Sequence, residues 1–135
     1  MTLLYIDTNI FISAIREEKN KFGNDISTPA SKIFFDAMLC KYHLMISQWT
    51  ATEMRRKMPP ENVRMALELI KKKLITLRFD EDDLTMARRR SKDNTPDALH
   101  IILAEKANAD YIITRDLDDF MKIGTRIPIR KPEHL

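Results

Sequence analysis

The sequence predicts an α/β domain with a mainly parallel sheet of four to five strands and helices on both faces. Three observations carry this. Short apolar, β-branched runs recur at residues 3–6, 44–46, 74–77 and 111–113, with a weaker one at 127–129. They lack polar alternation, as strands covered on both faces do. Helical patterns separate them, and alternation of strand and helix in one compact chain is the signature of a parallel sheet.

Each element has a local reason. Asp7 ends the first run and precedes a helical stretch at residues 10–15. Residues 16–27 are charged, contain Gly23-Asn24 and read as a loop. Thr28-Pro29 starts a helix whose apolar stripe is Ile33, Phe34, Ala37 and Met38. Another begins after Pro59-Pro60, with Val63, Leu67, Ile70 and Leu74 on one face. Asp80-Glu81-Asp82-Asp83 opens a helix that ends in Arg88-Arg89-Arg90, matching the helix macrodipole. Thr95 as N-cap, Pro96 as first helical residue and Asp97 in the first turn announce a helix to Asn108. Pro128 restricts the last run to a sheet edge.

At 135 residues the chain reads as one domain spanning 1–135, able to fold without disulfides. Hydrophobic residues make up 44% and charged residues 32%, an ordinary globular balance. The one cysteine, Cys40, reads as a small buried residue in a reducing compartment. No apolar run approaches the roughly 20 residues a membrane helix requires. The first residues lack the basic stretch of a signal peptide, so a cytoplasmic location is expected. With only Gly23 and Gly124, no Gly-rich phosphate loop can form. Net charge is +3 and the isoelectric point about 9.0, a mild pointer to a nucleic-acid partner. If four of the 20 acids are clustered around metal, 16 remain against 23 basic residues, and the bias strengthens.

Geometry selects those four. In parallel α/β sheets, ligands bind beyond the carboxyl ends of the strands. Asp7 ends the first strand, and Asp116 follows Tyr111-Ile112-Ile113-Thr114. Glu53 lies in the first turns after the second strand. Asp97 opens a helix that must finish where the Tyr111 strand begins, so it too lies at the carboxyl edge. Two carboxylates at 4 Å repel by about 4 kcal/mol at an effective dielectric near 20. Such a cluster shares protons or holds a cation, and oxygen-only ligands select Mg²⁺ or Mn²⁺. Taken singly, each acid has a plainer role. Asp7 can cap the helix after it, Thr50-Ala51-Thr52-Glu53 can form a capping box, Asp97 suits a first turn and Asp116 a turn. Those roles do not account for convergence on one rim. The run at Asp80 reads as a solvated helix start instead.

These residues resemble the PIN-domain family, especially its small stand-alone VapC-type toxins. The matching segments are Asp7-Thr8-Asn9-Ile10, Ser47-Gln48-Trp49-Thr50-Ala51-Thr52-Glu53, Asp97-Ala98-Leu99-His100-Ile101, and Ala109-Asp110-Tyr111-Ile112-Ile113-Thr114-Arg115-Asp116-Leu117-Asp118-Asp119-Phe120. Their order and spacing extend over nearly the whole chain. The resemblance implies a three-layer α/β/α domain with strand order near 3-2-1-4-5. It also implies a Mg²⁺- or Mn²⁺-dependent endoribonuclease, with Asp7, Glu53, Asp97 and Asp116 as metal-binding acids and Asp119 as an auxiliary. Asn9 and Thr114 would position water, metal or phosphate. A toxin of this kind forms a homodimer and is silenced by a small antitoxin covering the site. Arg55, Arg56 and Lys57 beside Glu53, and Arg115 beside Asp116, are candidates for phosphate contacts. Lys71-Lys72-Lys73 and Arg88-Arg89-Arg90 read as solvated helix faces. Trp49 could stack a base, but half-buried packing suits it as well. Two departures stand out, the charged stretch 16–27 and His100. The latter lies on the helical face of Asp97 and could reach the site, though a packed or solvent-facing role is favoured. Alternatives are an RNA-processing nuclease, a structure-selective DNA nuclease and a non-catalytic RNA-binding module.

Overall fold

A computed structural model describes residues 2–16 and 27–135. Five strands form one sheet: β1 (Thr2–Ile6), β2 (Tyr42–Ser47), β3 (Leu74–Leu77), β4 (Tyr111–Ile113) and β5 (Ile129–Arg130). Their order is β3-β2-β1-β4-β5 and every pairing is parallel, as the resemblance implied. Between them run α1 (Thr8–Arg16), α2 (Ser27–Met38), α3 (Gln48–Lys57), α4 (Pro60–Ile70), α5 (Glu81–Arg90), α6 (Thr95–Lys106) and α7 (Leu117–Ile123). Of the predicted loop 16–27, Arg16 closes α1 and Ser27 opens α2; residues 17–26 lie outside the described residues.

Strand alternation divides the core in two. Leu4, Ile6, Leu44, Ile46 and Ile113 pack with residues of α1 to α4. Tyr5, Met45 and Ile112 face the other way, against residues of α5 to α7. Successive strand side chains point to opposite faces, so apolar runs without alternation serve both layers. Helix α6 lies between the sheet, α5 and α7, which explains why Ala98 through Ala104 are all buried. At the amino end of the sheet Asp110 clamps β4 to β1. Its N–H donates to the Leu3 carbonyl (2.8 Å) and its carboxylate accepts the Leu3 N–H (2.7 Å).

Several local expectations need correction. The capping box of α3 is Ser47 with Thr50, so Glu53 is free of capping duty. Asn94 rather than Thr95 precedes α6 as N-cap, and the helix ends at Lys106, with Asn108 at φ 56°. Cys40 is exposed, in the left-handed region at φ 66°, where a turn leads into β2. β3 is an edge strand with Ile75 and Thr76 exposed, so it is not covered on both faces. β5 takes the opposite edge; the Pro128 carbonyl still accepts the Ile112 N–H, and no donor is required of the proline nitrogen.

The acidic run opens α5 as predicted, but Asp83 is buried rather than solvated. Asp80 caps α5 by accepting the Asp83 N–H, while the Asp83 carboxylate takes the Asp80 N–H. Asp83 also accepts from Lys106 at 3.2 Å, at the far end of α6 from Asp97, about 14 Å along the axis. Asp83→Ala is therefore expected to destabilise the fold by about 1 kcal/mol. Urea unfolding checks this, and an unchanged midpoint would remove the box and its lysine from the forces holding α5 to α6.

Candidate active site

The site is assembled by chain ends meeting at the carboxyl edge of the sheet. The Asp7 N–H donates to the Ile113 carbonyl and its own carbonyl accepts from Ile10, both at 3.0 Å, so the residue is fixed between β4 and the start of α1. Thr114 continues β4 by donating its N–H to the Arg130 carbonyl. Glu53 stands in the second turn of α3, immediately after β2, and Asp97 in the first turn of α6. Asp116 precedes α7.

Each of the four carboxylates is held through one oxygen. Thr114 Oγ1 donates to Asp7 Oδ2 at 2.8 Å, and the same hydroxyl accepts the Asp116 N–H at 3.0 Å. Thr8 Oγ1 donates to Glu53 Oε1 at 2.6 Å, with His100 Nε2 2.9 Å from that oxygen. Asn94 Nδ2 donates to Asp97 Oδ2 at 2.7 Å. Asn9 Nδ2 reaches Asp116 Oδ2 at 3.4 Å, and Lys57 Nζ donates to Asn9 Oδ1 at 3.4 Å. The second oxygen of each acid carries no hydrogen bond among the described residues.

The electrostatics follow from this crowding. Burial pushes the Asp7 carboxyl up to about 6, with Asp97 and Asp116 adding to the rise while His100 and Thr114 oppose it. Burial also raises Asp97, against Asn94 and His100 and with Asp116 and Asp119. Glu53 goes the other way. Burial would raise it, but the hydrogen bonds from His100 and Thr8 and the charges of His100 and Lys57 together bring it below the usual range. His100 is fully buried, which alone would lower it. Tyr5, Glu53 and Asp7 outweigh that, and it lies well above an ordinary histidine.

Asp7 therefore feels Asp97 and Asp116, and Asp97 feels Asp116 and Asp119, while Glu53 is governed by His100, Thr8 and Lys57. Asn9 and Thr114 touch the acids directly. Arg115 is ion-paired to Glu133 at 2.5 Å. Arg56 lies over the ring of half-buried Trp49, 5.6 Å from its centroid. Arg55 turns into a groove with Pro60, Val63 and Arg64 of α4. Of the basic trio it is Lys57, one helical turn after Glu53, that reaches the site. His100 is packed and also reaches the acids, so the two roles set against each other in the sequence coincide. Sequence reasoning passed over Tyr5, Thr8 and Asn94. Tyr5 had a signal, since residues 5 and 7 of a strand share a face.

No three of the described acidic, histidine or cysteine side chains stand close enough together to enclose a metal ion as they are placed. His100 Nε2 lies between Glu53 Oε1 and Asp7 Oδ1, 2.9 and 3.8 Å away. The donor set nevertheless fits a hard cation. It is all oxygen, it is buried or half-buried, its crowding holds the Asp7 and Asp97 carboxyls up, and every member keeps one oxygen unbonded among the described residues.

No curated protein sequence matches the chain. Among solved structures it superposes on a chain of a toxin–antitoxin complex from Klebsiella pneumoniae, at 21% identity over 100% of both chains with TM-score 0.64. VapBC-1 from nontypeable Haemophilus influenzae gives 18% identity, 98% of this chain, 99% of that one and TM-score 0.65. VapBC2 from Rickettsia felis, bound to a promoter DNA fragment, gives 16%, 96%, 98% and 0.64. The model of the PIN domain matches residues 4–118, spanning all four acids. The chain belongs to the PIN-domain family.

Proposed function

We propose that residues 1–135 form one Mg²⁺- or Mn²⁺-dependent endoribonuclease domain, the toxin of a toxin–antitoxin pair acting on cytoplasmic RNA. The observation that carries this reading is the four-acid rim, in which every carboxylate is oriented through one oxygen and keeps the other unbonded among the described residues. Asp7, Glu53, Asp97 and Asp116 would hold the cation, with Asp119 at the margin. When bound, the ion would lower the pKa of a water and offset negative charge on the cleaved phosphodiester. The protein's own part is orientation. Thr114 and Asn9 hold Asp7 and Asp116, Thr8 holds Glu53, and Lys57 places a positive charge beside Asn9 where a phosphate can approach.

A basic groove supports a nucleic-acid substrate. Thr85, Arg88, Arg89 and Lys92 recur at helical spacing along α5 and its end, and with Thr95 line a groove of about 460 Å³. No acid lines it. Thr95, which lines it, shares the first turn of α6 with Asp97. Arg90 differs, being paired bidentately with Glu105. Arg55 and Arg56 remain candidates for phosphate contact on α3, whereas Arg115 is engaged by Glu133. RNA rather than DNA is the substrate we assign, because no added element for gripping a duplex stands among the described residues.

Protein partners are supported by a separate surface. Phe35, Met38 and Leu39 at α2, with Met65 and Leu69 on α4, are exposed apolar side chains. A neighbouring groove lined by Phe11, Ile15 and Phe34 joins them. The structural relatives include VapBC and other toxin–antitoxin complexes. An antitoxin and a second copy of the chain are the partners we assign.

Three outcomes are expected. Purified protein should cut structured RNA with Mg²⁺ or Mn²⁺ and not with chelator. Asp7→Asn should slow cutting about a hundredfold or more, from loss of a charge stabilising the ion. Equal cutting by native and variant would point to a contaminant, and metal-dependent cutting of single-stranded DNA alone would transfer the activity to DNA.

In chelator, Asp7, Asp97 and His100 all favour protonation in the folded state. A carboxyl raised from 3.8 to about 6 contributes stability at low pH that is lost as pH rises through about 6. The histidine's contribution, present below its ordinary value, is lost higher still. The melting temperature should therefore rise as pH falls from about 8 to about 5. Asp7→Asn should melt higher than native at neutral pH with a flatter profile, and a native profile that falls over this range would overturn the assignment.

Arg88→Gln, Arg89→Gln and Lys92→Gln together should lower the salt slope of single-stranded RNA binding by about two. A native-like slope would return these cations to the solvated surface.

A further inference from the structure

We propose that Tyr5 and His100 are positioning residues, holding the Glu53 carboxylate in the orientation a divalent cation requires. Their means is a buried hydrogen-bond chain from β1 through α6 to α3. The inference rests on the metal reading above but concerns residues outside the acid set.

His100 is the one ionisable side chain in the buried run Ala98 to Ala104, and 1% of it is exposed. An imidazole in such surroundings is unfavourable unless both nitrogens are bonded. Both are. Nδ1 lies 2.7 Å from the Tyr5 hydroxyl and Nε2 2.9 Å from Glu53 Oε1. Tyr5 is itself fully buried, meets the His100 ring edge-on at 62°, and its hydroxyl has no other partner among the described residues. Leucine or isoleucine, which occupies positions 99, 101, 102 and 103, would fill this volume without the polar cost.

The chain fixes which nitrogen faces Glu53 as a donor. In a neutral ring, Tyr5 donates to Nδ1, so the ring hydrogen is on Nε2. In a charged ring, Nε2 carries a hydrogen as well. The Nε2–H therefore donates to Glu53 in either state, and the role does not depend on protonation. With Thr8 bonded to the same oxygen, Oε1 receives two donors from two elements, α1 and α6. One donor would leave the carboxylate free to swing about a single bond; two fix its plane and direct Oε2 as the ligand atom. Hydrogen bonds of this kind behind metal ligands govern affinity, and their loss costs about ten- to a hundredfold.

The test is Mn²⁺ binding by calorimetry without RNA, on native protein, His100→Leu, His100→Gln, Tyr5→Phe and the Tyr5→Phe/His100→Gln double variant. Thermal unfolding in chelator establishes that each variant is folded. His100→Leu should weaken Mn²⁺ binding about tenfold or more. His100→Gln, which can return an N–H near the place of Nε2, should recover most of it. Tyr5→Phe should weaken binding severalfold in the native background. In the glutamine background it should change nothing, because no ring tautomer remains to be fixed. Native-like binding by His100→Leu would overturn the positioning role. So would an equal effect of Tyr5→Phe in both backgrounds, which would mark Tyr5 as packing alone. Should His100→Leu fail to fold, the glutamine and phenylalanine variants decide. Native protein that takes up no Mn²⁺ would overturn the metal reading itself and this role with it, an outcome distinct from native binding that His100→Leu preserves.

Discussion

The burial of Asp7 among other acids is the constraint on which the rest of the rim depends. A carboxylate 4% exposed, with Asp97 and Asp116 nearby, resists ionisation and is driven towards about 6. Such a group stays in place because its backbone is not free to leave. Its N–H belongs to the β1–β4 pairing and its carbonyl to the first turn of α1. The parallel sheet thus supplies the rigidity that overcomes local repulsion. The same arrangement places every other acid, since each follows a strand or opens a helix that returns to the next strand. Fold and site are one consequence of strand direction.

Much of this was legible in the sequence because the relevant signals are local and periodic. Apolar runs without alternation identified the strands, and Pro128 identified an edge. The four acids could be selected from 20 because chain direction assigns them to the carboxyl edge, and the run at Asp80 could be set aside because it opens a helix. What escaped was decided by competition between neighbours of similar chemistry. Thr95 and Asn94 both suit an N-cap; the asparagine takes the position, yet its amide is spent on Asp97 rather than on the helix. Thr50 appeared to start a capping box and instead completes one begun by Ser47. Cys40 carried an apolar context in sequence, but the reversal into β2 exposes it. The exposure of β3 depends on sheet order, which periodicity does not encode.

His100 was ambiguous for a different reason. Helical spacing placed it on the face of Asp97, but the same spacing placed it against the sheet. Only the side-chain depth of Tyr5 across the layer resolves the two. The ring proves to span the boundary between core and rim, so it is buried by one criterion and functional by another. A residue of this kind cannot be assigned from its own helix; the informative partner lies 95 residues away in β1.

The choice of partners around the acids completes the argument. Asp7, Asp97 and Asp116 are oriented by threonine and asparagine, which are neutral donors. Lys57 is bonded to Asn9. Arginine or lysine bonded directly would bind a carboxylate more strongly, but would also neutralise it and compete with any incoming ion. Neutral donors fix geometry while leaving the negative charge in place. Among the described residues only Glu53 takes an ionisable donor, and that donor approaches through a buried ring held on its far side by Tyr5. Orientation and charge are in this way controlled separately, and the repulsion that burial and crowding build up at Asp7 and Asp97 is left standing rather than neutralised.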